Sequence, residues 1–175
     1  MDFIAEKLGI SKRTIYELFQ SKDELLNECI IYAMEIERKE TKEIIENSEN
    51  MIEAFLKNIK LRIRKMNLVS PLFIIDAKKY HFEVFNNKMR EQDEVTYKSF
   101  VNFIKEGKEK GYFNPEINEE IVSKLIVEQF KIIGDDKVFP PDKYSVAETF
   151  ENVTMSFIRG ISTNKGLEII NKFNI

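Results

Sequence analysis

Apolar residues recur at steps of three and four along almost the whole of this 175-residue chain, and that period leaves little but helical architectures open. Met51, Phe55, Ile59, Ile63 and Met66 mark one helix, and Val122, Leu125, Ile126 and Ile133 mark another. A further stripe holds Val146, Phe150, Val153, Phe157 and Ile161. Longer helices are expected from about residue 21 to 47, with Leu25, Cys29 and Ile36 on the apolar side, and from 82 to about 109, with Phe85, Met89, Phe100 and Phe103 inward. Glycine and proline punctuate this pattern at Gly9, Pro71, 107–115, 134–141 and Gly160. Strand-like alternation is confined to short ambiguous runs such as VSPLFII. The expected fold class is all-α, without internal repeats.

A chain of this length buries a core without staples, and one cysteine forms no internal disulfide framework. There is no long apolar run for a spanning helix, and the opening MDFIAEKLGI lacks the basic-then-apolar order of a secretory signal, so a cytoplasmic protein away from the membrane is expected. A net charge of −3 argues against a basic coat, so any contact with nucleic acid has to be local.

One stretch supplies that local contact: GISKRTIYELFQSKDELL, from Gly9 to Leu26. A helix-turn-helix needs a small residue where its helices cross, a turn residue tolerant of positive φ, and apolar residues facing the shared core. Ala5 and Gly9 fill the first two roles, with Ile4, Leu8, Ile10, Ile15 and Leu18 as the buried set. Ser11 caps the second helix and leaves Lys12, Arg13, Thr14 and Tyr16 on its outer side, where a helix in the major groove meets bases and phosphates. Between Gly9 and Lys22 the cations Lys12, Arg13 and Lys22 face one anion, Glu17. Ser21 to Glu24 reads as a capping box; with Lys22 beside it, this helix start suits a phosphate, or is a good cap next to a solvated charge.

IAEKLGISKRTIYELFQSKDELL resembles the DNA-binding signature of the tetracycline-repressor (TetR) family of bacterial transcriptional regulators, above all in Tyr16 and Phe19 followed by Ser21, Lys22 and Leu25. The resemblance implies that Thr14, Tyr16 and Lys22 contact phosphates, that Lys12 and Arg13 lie nearest the base edges, and that residues 1–26 form a helix-turn-helix region. Residues 27–175 are then a helical effector-binding and dimerisation domain. Family members carry a helix before the one holding Ile4 and Ala5, so by the resemblance this helix-turn-helix is incomplete, through truncation or a misplaced start. Ile4, Leu8 and Ile15 are expected to lose part of their cover, and DNA binding to suffer.

The resemblance also implies a small-molecule site among the middle helices and a homodimer through the last two long ones. Phe55, Ile59, Phe85, Met89, Phe100 and Phe103 are the expected pocket, with Gln92 and Thr96 as polar handles; ordinary core packing explains the same aromatics. Val122, Leu125, Ile126, Phe150, Val153, Phe157 and Ile161 are the expected dimer interface. His81, the one histidine, reads as a surface residue at a helix start, and Cys29 as a small buried hydrophobe. No phosphate-cradling loop, nucleophile elbow or metal motif occurs, so neither catalysis, cofactor nor metal is expected. The expected function is a repressor that binds a palindromic operator in double-stranded DNA as a homodimer and is released by an effector. The alternative is a helical dimerisation or partner-binding module that has lost DNA binding.

Overall fold

The computed structural model describes residues 1–173, and among them every regular element is a helix. In chain order these are α1 (Asp2–Leu8), α2 (Lys12–Leu18), α3 (Lys22–Glu46), α4 (Met51–Leu68), α5 (Pro71–Tyr80), α6 (Phe82–Glu109), α7 (Glu119–Ile133), α8 (Val146–Ile161) and α9 (Asn164–Lys172). The all-α expectation is met, and α3, α4, α6, α7 and α8 lie within a few residues of their expected places.

Caps set most of the starts. Asn50, Asn118, Ser145 and Thr163 each accept a backbone N–H of the first turn with the side-chain oxygen, opening α4, α7, α8 and α9. The core then forms where α4, α6, α7, α8 and α9 converge: Ile52, Leu56 and Ile59 meet Ile104, Ile133, Phe150, Ile158, Ile161 and Ile170. Phe113, in the turn after α6, is fully buried against Gly107, where an added Cβ would lie 2.1 Å from its ring. Backbone bonds from Asn114 N–H to Ile161 O and from Thr163 N–H to Tyr112 O, each 2.9 Å, fasten this turn to the α8–α9 junction.

Four expectations are corrected here. Gly160 lies inside α8 instead of ending it, and α9, unforeseen, follows after Ser162. Cys29 is exposed and Ile36 faces outward, because the inward line of α3 is partly ionic: Glu37 and Glu40 lie on it and pair with Arg62 and Lys65 of α4, at 2.9 Å for Glu37 and Arg62. Met89 is exposed and Phe85 only half-buried, since α6 packs its buried residues, Phe100, Ile104 and Gly107, near its C-terminal end. In the α1–α2 unit Ala5 and Ile15 are buried, but Ile4, Leu8, Ile10 and Leu18 are not, as two helices of seven residues each enclose little volume.

Candidate nucleic-acid interface

Gly9 makes the helix-turn-helix possible. It takes φ 66° and ψ 26°, the left-handed conformation that ends α1, and Ile10 N–H then reaches back to Ala5 O at 3.0 Å. Ser11 is extended, and its hydroxyl oxygen accepts from Thr14 N–H at 3.0 Å while lying 2.9 Å from the Thr14 hydroxyl. α2 therefore begins with a satisfied cap, and Ile15, like Ala5 of α1, is buried.

The outward residues fall into two groups. Ser11 and Thr14 are occupied with one another, and Thr14 is half-buried. Arg13 stands out with 88% of its side chain exposed, its Nε donating to Glu17 at 2.9 Å one turn on, while Tyr16 is partly exposed on the same helix. Lys12 turns back to α1, where its Nζ lies 3.0 Å from Asp2. That bond and the charge behind it lower the Asp2 pKa and raise that of Lys12.

α3 opens next to this surface. Ser21 Oγ accepts from Glu24 N–H at 3.1 Å, and the Glu24 carboxylate accepts from Gln20 N–H, one residue earlier than a strict capping box requires. Lys22, exposed, is the first residue of the helix. From there α3 continues unbroken across residue 26 into the body, so the surface at its start and the body share one helix.

One contact that the sequence did not announce ties this end to the rest, and another joins α5 to α7. Asp23, in the first turn of α3, pairs with Nδ1 of His81, the residue between α5 and α6. Lys78 of α5 donates to Gly134 O at the end of α7, at 2.8 Å. Both join residues more than fifty positions apart and leave no local signal, whereas the Arg13–Glu17 pair was legible from its spacing of four. His81 thus sits at a helix start as expected, with a partner that was not.

The other predicted positions divide as well. Phe55, Phe100 and Phe103 converge, with Phe55 stacked on Phe103 at 4.7 Å between centroids and edge-on to Phe100 at 5.9 Å. Ile59 is buried beside them in the core. Gln92 donates to Thr96 at 3.4 Å along α6, and Phe85 and Met89 lie further towards its start, apart from these rings. On α7 and α8, Val122, Leu125, Val153, Phe157 and Ile161 line an open groove, while Ile126 and Phe150 are buried inside the protomer and offer a partner no surface. Among the described residues no cluster of His, Cys, Asp and Glu is arranged to hold a metal, and no helix is long and apolar enough to cross a membrane.

A capped helix-turn-helix is thus carried by a continuous helix into an all-helical body. Residues 1–29 match the family model described as bacterial regulatory proteins, tetR family. The ketosteroid transcriptional regulator KstR2 of Mycobacterium tuberculosis shares the fold with a TM-score of 0.56 at 16% identity, covering 92% of this chain and 83% of that one. No protein of curated function matches at a significant level. Residues 1–29 thus carry the signature of bacterial regulatory proteins of the tetR family, and the chain as a whole shares its all-helical fold with a solved transcriptional regulator.

Proposed function

We propose that this chain is a cytoplasmic, non-catalytic repressor that binds a palindromic operator as a homodimer and lets go when a small molecule enters its body. Residues 1–26 read the DNA and residues 27–175 bind the effector and the second copy. The observation that carries this reading is the Ser11-capped α2 with Arg13 exposed, beside Lys22 at the capped start of a helix that reaches the body without interruption. Lys12 and Arg13 meet base edges, Lys12 after leaving Asp2; Tyr16 and Lys22 anchor phosphates, and Ser11 and Thr14 fix the helix start that presents them. The effector enters beside Phe55, Ile59, Phe100 and Phe103 by parting the stacked rings, with Gln92 and Thr96 as hydrogen-bonding groups and Phe85 and Met89 at the end nearer the DNA. Its binding shifts the α5–α6 junction, and the His81–Asp23 contact passes that shift to α3.

The test is selection of bound duplexes from a random pool, then titration of the selected and scrambled sequences at several salt concentrations. Selected sites should be two-fold repeats, and affinity should fall steeply with salt. Arg13→Ala should relax preference at one position for about 1–3 kcal/mol, and Lys22→Ala should weaken all sequences alike with a shallower salt slope. Failure to enrich any sequence would overturn the proposal.

A further inference from the structure

The groove between α7 and α8, about 540 Å³, is walled by Val122, Leu125, Val153 and Phe157, apolar side chains on the outer face of the body. Two amides interrupt this apolar surface, Gln129 from α7 and Asn152 from α8. Among the described residues, Oε1 of Gln129 is buried without a hydrogen-bond partner. Ser123 Oγ and Thr154 Oγ1 share that state, but both residues are fully enclosed in the core, whereas Gln129 lies on the groove. A buried carbonyl oxygen without a donor is destabilising, and turning the amide into the groove relieves it. Asn152 is exposed, and its Nδ2 donates to Glu148 O at 2.9 Å, which spends one of two amide hydrogens.

One face therefore carries both a spare acceptor and a spare donor within an apolar surround. That is the composition a two-fold contact needs, because in such a contact residue i meets residue j and residue j meets residue i. Gly160 adds room: a Cβ there would meet nothing within 4 Å, so the α8 wall is low where a facing side chain would enter. We propose that the occupant of this groove is a second copy of the chain, and that Gln129 of each protomer accepts from Asn152 of the other, two reciprocal bonds that set the register of the dimer and select a like partner. The pairing rests on the homodimer reading above and adds to it the residues that decide which copy fits. Buried polar pairs are an established way to fix register in helical interfaces.

The test is the dimer dissociation constant of the full chain by sedimentation velocity over a dilution series, for wild type, Gln129→Ala, Asn152→Ala and the double variant, with circular dichroism confirming that each is folded. Each single substitution removes both symmetry-related bonds and should weaken the dimer about tenfold or more, and the double variant should be no weaker than the worse single. Effects that multiply in the double variant, a Gln129→Ala dimer as tight as wild type, or coupling of Gln129 to Ser156 in a parallel Ser156→Ala cycle would each overturn the pairing. Leu125→Glu, at a half-exposed position on α7, separates the two readings. If it stays dimeric, the groove is not the interface and the pairing falls while the homodimer reading stands; if wild type is monomeric, both fall. If it is monomeric while the Gln129 and Asn152 effects multiply, only the pairing falls.

Discussion

Between residues 2 and 18 two side chains are buried, Ala5 and Ile15, whereas α8, of similar length, buries Ala147, Phe150, Thr154, Ile158 and Ile161. The helix-turn-helix end keeps its shape by local devices: a left-handed glycine, two serine caps and exposed ion pairs. The body keeps its shape by apolar contact between residues far apart in sequence, such as Phe55 stacked on Phe103. Each device at the helix-turn-helix end has its own residue, so that region carries a specific signature. The body needs only apolar residues of fitting volume, and many sequences meet that need.

The sharpest way to break this contrast is to truncate one ring in each region. Phe113→Ala should cost about 3–5 kcal/mol in urea unfolding, whereas Leu18→Ala, two-thirds exposed, should stay within about 0.5 kcal/mol. Comparable losses would mean that α1 and α2 share the body's core. Next in size is Ser21→Ala, expected to cost about 1 kcal/mol and to speed amide exchange over the first turn of α3, while leaving exchange at Ile104 unchanged. The seam between α3 and α4 comes third. Arg62→Ala removes a pair a third exposed on each side, and should cost no more than about 1 kcal/mol, shrinking in added salt.

The smallest effect belongs to Asp2 and Lys12. Lys12 holds the Asp2 carboxyl below its ordinary value, so the folded state binds this proton less readily than the unfolded chain does. The contribution is present above the ordinary value of about 3.9 and is lost as pH falls through the depressed folded value. An NMR titration of the Asp2 carboxyl should show the low value, and Lys12→Ala should return it to the ordinary one. A value unmoved by the substitution would place Lys12 away from α1, ready for DNA.

How much was legible in the sequence follows the same division. The Gly9 turn, the caps at Ser11 and Ser21, and the extents of α3 and α6 could be read because each depends on neighbours within four residues. The phase of α3 could not. Its inward line includes Glu37 and Glu40, charges that belong there only because Arg62 and Lys65 face them. Phe85 and Phe103 fit one stripe of α6, but about 27 Å of helix separates them, and α4 reaches only the later one. The Gly166 of α9 resembles a breaker, yet it is buried where Tyr112 O passes 2.4 Å from the site of an added Cβ, so a close crossing requires it. Ile126 and Phe150, expected at a dimer interface, share the period of their exposed neighbours but are buried within this chain.

The ion pairs that fasten α3 to α4 lie well away from the tip of α3. From Glu37 back to Lys22 is about 22 Å of helix, and α3 buries no residue along its length. Such a rod behaves like the needle of a gauge: pivoted at the seam, a swing of about 5° carries Lys22 through roughly 2 Å, close to the length of a hydrogen bond. Near its tip α3 also packs against α6, and Asp23 meets His81 there. A shift of α6 of that size is one the tip would follow without unfolding a single turn.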